Sequence, residues 1–279
     1  MLADEAMNVK TYIKLLKGVE ASSKIYVCPY CGSKTYSKTD QFFCSYCEGL
    51  IPSGRAVPVE SIRQASEINN LVRSSKFDLA FQKYESLADY SVNPYFAYAE
   101  ALAYIELSNY ETSQINYTLN GFMEENIVHR NNSIAAFSKA RLLLAKSIET
   151  AKKEVQGGPE TAPYMHAMFL SYVRLGDFKA ASSVLEKTKK LGSTLVSEYE
   201  SMVLENNIGE YDKTTEDSVK LLSADMLSVN AAYYLAYALF KKKREKDALA
   251  ILNAFPGKDE VPAVGRLANE INNYLGNSS

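Results

Sequence analysis

The sequence predicts a mostly α-helical protein, a helical repeat array or α-solenoid, with a small β module near the N-terminus. Three observations carry that reading. Ala80, Ser113, Ala181, Thr214 and Ala248 recur at steps of 33, 68, 33 and 34 residues, and 68 is two steps of 34; a 33–34-residue period with two helices per unit is the mark of stacked helical repeats. From Glu60 onward the apolar residues keep a helical spacing to the end of the chain. The only cysteines, Cys28, Cys31, Cys44 and Cys47, form two CxxC pairs with 12 residues between them, ahead of the first repeat.

Residues 1–23 hold an amphipathic helix over 3–20, with Met7, Tyr12, Ile13, Leu16 and Val19 near one face. Residues 24–58 hold the cysteine module, where Ile25-Tyr26-Val27 and Gln41-Phe42-Phe43 are short strand-like runs leading into the CxxC pairs. Pro52, Gly54 and Pro58 then break the chain and mark a domain boundary over 52–60. Residues 59–260 form the repeats, with turns expected at 74–78, 108–111, 176–178, 209–211 and 242–246. The stretch 127–155 carries no turn signal and reads as one long helix. Residues 261–279 supply a final helix over 261–276, apolar on one face and rich in Asn, suited to cap the open end of an array, and a short tail.

The cysteines carry the one chemically specific signal. Two sharp turns bring four thiolates together, and four soft donors with no open position suit one structural Zn²⁺ rather than a catalytic ion. Such a site contributes on the order of 10–16 kcal/mol of apparent binding free energy, enough to fold a small module. Disulfides would need an oxidising compartment, and the acidic MLADEAM start, followed by Lys10, Lys14 and Lys17, does not read as a secretion signal. A cytoplasmic protein is expected.

Cys28-Pro29-Tyr30-Cys31-Gly32 and Cys44-Ser45-Tyr46-Cys47-Glu48-Gly49 resemble the two knuckles of a zinc ribbon, although Glu48 stands where that family often has glycine. The repeats resemble tetratricopeptide (TPR) units. The resemblance rests on Met168, Phe169, Tyr172, Gly176, Phe178, Ala181 and Leu185, and on Leu235, Ala236, Leu239, Ala248, Leu252, Phe255 and Pro256. Units at 62–94 and 95–122 follow the same pattern, and the unit at 195–223 departs from it at Glu205. The resemblance implies a right-handed superhelix whose first helices line a groove for a partner's helical or extended apolar segment. By phase, Asn69, Arg73, Tyr98, His166, Arg174, Tyr233, Tyr237 and Lys241 would face that groove. These columns hold too few Lys and Asn for a carboxylate clamp.

Net charge is -2 with pI about 5.9, so the chain as a whole is not built to bind a polyanion. Residues 1–58 carry net +2, and Lys34, Tyr36 and Lys38 on the ribbon hairpin form a cation–aromatic–cation set that nucleic acid would suit. No apolar run reaches the length of a membrane span. His129 and His166 sit in no catalytic motif, and Gly157-Gly158-Pro159 lacks the surroundings of a phosphate loop. The run 241–246, Lys-Lys-Lys-Arg-Glu-Lys, reads as the solvated end of a repeat helix. A non-enzymatic interaction adaptor or scaffold is expected. The alternatives are a transcription or translation factor that touches nucleic acid through the ribbon, and a permanent subunit of a larger assembly. No small-molecule substrate is expected.

Overall fold

The computed structural model describes residues 9–37, 39, 41–51, 58–87, 90–115, 124–155, 161–223 and 229–277. Among them are twelve α-helices and four short strands. After α1 (Val9–Ser22) come β1 (Lys24–Val27), β2 (Lys34–Ser37), β3 (Phe42–Phe43) and β4 (Leu50–Ile51). The helices then run in succession: α2 (Val59–Arg73) and α3 (Phe77–Glu85), α4 (Pro94–Ser113) and α5 (Glu124–Glu154), α6 (Ala162–Leu175) and α7 (Phe178–Lys190). They continue with α8 (Thr194–Ile208) and α9 (Tyr211–Ser223), α10 (Val229–Lys241) and α11 (Glu245–Asn253), and end with α12 (Pro262–Asn277). Contacts divide the chain into two compact units, one drawn from Met1–Val27, Ser33–Arg55 and Ser182–Ser279, the other from Cys28–Gly32 and Ala56–Ala181.

In the first unit, α1 buries Tyr12 and Leu16, one helical turn apart, and packs against α9 and α11. β1 and β2 pair antiparallel from Lys24↔Ser37 to Val27↔Lys34, and β3 pairs antiparallel with β4. The turn after α8 is made by Gly209 at φ 86, a left-handed conformation that satisfies the last carbonyls of the helix. The core of α10 is Ala231, Ala232, Tyr234, Leu235, Ala236, Ala238 and Leu239, all buried. Neighbouring helices α8, α9, α11 and α12 pack around it. On α12 the apolar face is Val264, Leu267 and Ile271.

In the second unit, Asn93 caps α4 by accepting the Tyr95 N–H at 3.0 Å, with Pro94 in the first helical position where a missing N–H costs nothing. The first ten residues of α4, Pro94 to Ala103, are buried without interruption, packed by α5 and α6. The long helix expected over 127–155 is α5, 31 residues from Glu124 to Glu154. The expected turns at 74–78, 176–178, 209–211 and 242–246 each cover a break between two helices and run into the start of the second, at Phe77, Phe178, Tyr211 and Glu245.

Two expectations fail in this region. Residues 108–111 are not a turn; α4 continues through them to Ser113. Ser108 and Thr112 instead share hydrogen bonds with Ser133 on α5, at 2.9 Å each. The Thr112 hydroxyl also donates to the Ser108 carbonyl one turn back at 2.8 Å, a bond the continuing helix accommodates. Ser113 is therefore an exposed residue at the end of a first helix, whereas Ala80, Ala181, Thr214 and Ala248 are fully buried on second helices. The apparent step of 68 residues rests on a residue that is not equivalent to the others. Met7, most of the 52–60 boundary and 157–159 lie outside the described residues.

Candidate metal centre

The four cysteines of the two CxxC pairs are buried, at 0–2 % exposure, and their sulfurs all lie within 4.8 Å of one another. A tetrahedral Zn²⁺ with bonds of about 2.3 Å needs sulfurs about 3.8 Å apart, so the donor set fits a single structural zinc site formed by Cys28, Cys31, Cys44 and Cys47. Four thiolates close the coordination shell. The ion would cross-link two turns and offer no position to a substrate or an activated water.

Each knuckle is the same turn made with different residues. Gly32 donates its N–H to the Cys28 carbonyl at 2.9 Å, and Glu48 donates to the Cys44 carbonyl at 3.0 Å. Both stand four residues after the first cysteine of their pair, and both are left-handed, at φ 73 and φ 61. The Tyr30 N–H points at the Cys28 sulfur at 3.4 Å, and the Thr35 hydroxyl at the Cys44 sulfur at 3.7 Å. Such donors stabilise thiolate charge. Thr35 is itself held by the Ser45 N–H at 3.0 Å.

Why each knuckle has its own residue in the left-handed position follows from what lies beyond it. Gly32 faces the backbone of α2, and a Cβ there would fall 2.0 Å from the Ala65 carbonyl oxygen, so only glycine fits. Beside it the Tyr30 ring stacks on Tyr95 of α4, with centroids 4.5 Å apart. At the second knuckle the side chain is needed. The Glu48 carboxylate is buried and accepts the hydroxyls of Tyr199 on α8 and Tyr234 on α10, both at 2.8 Å on Oε2. Asn230 donates to the Cys44 carbonyl at 2.9 Å and to the Tyr199 oxygen at 3.1 Å, and Phe43 stacks on Tyr199 at 4.1 Å. Burial pushes the Tyr199 hydroxyl well above the usual tyrosine range, and the Glu48 charge adds to the shift. This polar cluster was missed in the sequence; the one signal for it was Glu48 in a position that favours glycine.

Compared with protein-family models, curated proteins and solved structures, the chain matches none.

The residues assigned to a groove by repeat phase differ in exposure. Tyr98 and His166 are completely buried. They belong to the core of the second unit and present nothing to a partner, so their assignment to a groove is corrected. Arg174 is exposed but its Nε reaches back to the Tyr98 oxygen at 3.4 Å. On α2, Asn69 is half-buried and Arg73 exposed. On α10, Tyr233 and Tyr237 are half-buried and Lys241 exposed, with the Lys241 ammonium 4.9 Å from the Tyr237 ring centroid. On the ribbon hairpin Lys34 is exposed, Tyr36 is half-buried with its ring against Gly257, and Lys38 lies outside the described residues. His129 meets Glu111 of α4 at 2.6 Å, a pairing that 18 residues of separation hid in the sequence.

Proposed function

We propose that the chain is a non-enzymatic interaction adaptor: a structural zinc ribbon fused to a right-handed, TPR-like array that holds a segment of a partner protein in the cytoplasm. The observation that carries the reading is the stripe Tyr233, Tyr237 and Lys241 on α10. These residues are spaced by one helical turn and are each accessible, as is Phe240, while Asn230 to Ala232, Tyr234 to Ala236, Ala238 and Leu239 of the same helix are buried. Half-exposed aromatics beside a cation suit an amphipathic helix or extended apolar strand that brings an acidic group at one end. A closed Cys₄ centre supports a structural part for the ribbon.

The decisive experiment puts a photo-crosslinking residue at position 237 of the zinc-loaded chain in native extract. One protein crosslinked there, and lost on Tyr233→Ala with Lys241→Ala, supports the adaptor. Crosslinks that do not depend on those two residues sink it. Tyr36 packs against Gly257 and is not displayed for stacking, so filter binding to RNA and DNA at two salt concentrations is expected to show no salt-dependent affinity.

A further inference from the structure

The long helix α5 buries one face and leaves the opposite one bare. The buried stripe is Asn126, Ala136, Ala140, Leu143, Leu144, Ser147, Ile148 and Ala151. Opposite it stand Ile127, then Ile134 and Leu142, at 59 % and 68 % exposure, with Val128 and Phe137 exposed on the flanks. Exposed apolar side chains scattered over a surface mean little, but Ile127, Ile134 and Leu142 share one face of α5 over about 23 Å of its length.

What should cover it follows from the Ile134 and Leu142 pair and from the opposite charges at the two ends of the helix. We infer that α5 is the contact of a homodimer, in which two copies of the helix pack antiparallel about a two-fold axis at Ser138. In an antiparallel pair about that axis, residues equally far before and after Ser138 meet. Ile134 and Leu142 stand four residues to either side and face each other across the seam, twice. Ser138 itself is small, and its hydroxyl is already satisfied by the Ile134 carbonyl at 2.8 Å. The two helices approach most closely at a side chain that brings no unmet polar group. At the far ends Glu124 meets Lys152, 14 residues to either side, again twice. The first turn of α5 is acidic, Glu124 and Glu125, and the last is basic, Lys152 and Lys153. Antiparallel packing sets acid against base at both ends, whereas parallel packing sets like against like. Within one chain Lys152 lies 5.9 Å from the Tyr172 ring, and Lys153 pairs with the exposed Glu149. Both are weak surface contacts that a dimer would outcompete.

Sedimentation velocity of the zinc-loaded full chain over a concentration series tests this. A monomer–dimer equilibrium is expected. Ile134→Glu with Leu142→Glu is expected to abolish the dimer while the thermal unfolding of the monomer stays unchanged, since both positions are exposed. Glu124→Lys puts like charges at both ends of the seam and weakens the dimer roughly tenfold, and Lys152→Glu added to it restores the affinity. A chain that stays monomeric up to roughly 100 µM overturns the inference. So does a dimer that survives Ile134→Glu with Leu142→Glu, or a charge reversal that is not rescued.

Discussion

Glu48 sets two effects against each other, and their magnitudes decide which wins. Its left-handed backbone, φ 61, costs a residue with a Cβ about 1–2 kcal/mol relative to glycine. Its carboxylate holds two buried tyrosine hydroxyls at 2.8 Å, each a hydrogen bond to a charged group worth about 1.5–3 kcal/mol. Glu48→Gly relieves the first and forfeits the second. The expected net loss is about 1–5 kcal/mol, even though the substitution installs the residue the turn prefers. Urea unfolding of zinc-saturated protein measures it as a lowered midpoint. Tyr234→Phe alone should cost about 1.5–3 kcal/mol, and nearly nothing in a chain that already carries Glu48→Gly, because the bond it removes is gone. If Glu48→Gly is neutral or stabilising, or if the two losses simply add, the carboxylate is not what fastens the second knuckle to α8 and α10.

Three further outcomes follow. Gly32→Ala is expected to destabilise severely, because its Cβ would strike the Ala65 carbonyl, while Gly176→Ala, also left-handed but with nothing within 4 Å, should cost only about 1–2 kcal/mol; equal losses in urea midpoint would contradict the packing described for Gly32. Elemental analysis is expected to find one zinc per chain and none after Cys28→Ser with Cys31→Ser, and chelation should release the ion with loss of structure in the 24–51 module. Burial raises the Glu100 carboxyl above the ordinary glutamate range; the hydrogen bond from Tyr90 opposes the shift and the charge of Glu85 adds to it. The folded chain then holds that proton more tightly than the unfolded one, so this group's contribution to stability falls as pH rises from the ordinary carboxyl range through the raised value. Glu100→Gln is expected to flatten that slope in urea midpoints taken between about pH 5 and pH 8.

How much of this was legible in the sequence depended on whether a residue's meaning was local. Gly176 and Gly209 announced their turns because a left-handed C-cap is a property of one residue. The four cysteines announced their cluster because two tight turns need only short-range geometry. Ser108 to Glu111 misled, because polar residues suggest a turn only until another helix supplies their partners, and Ser133 lies 25 residues away from Ser108. Tyr98 and His166 misled for a different reason. Phase identifies an exposed face only on a helix that has one, and α4 is buried all round through Ala103. Glu48 was visible as an anomaly, but Tyr199 and Tyr234, which explain it, lie more than 150 residues further along.

The packing of α1 against α9 and α11 ties together helices about 190 and 220 residues apart in the chain. During synthesis at about 5–20 residues per second, roughly ten seconds pass while residues 56–181 emerge. For that time Tyr12 and Leu16 have no α9 or α11 to cover them. Closing the loop from α1 to α9 or α11, about 190–220 residues, costs roughly 5 kcal/mol of chain entropy, which contacts made only after α11 has left the ribosome must offset. α1 thus stays open to chaperones until α11 has emerged. A premature stop ahead of α11 would do its damage more than 200 residues upstream, in a helix whose own residues are intact.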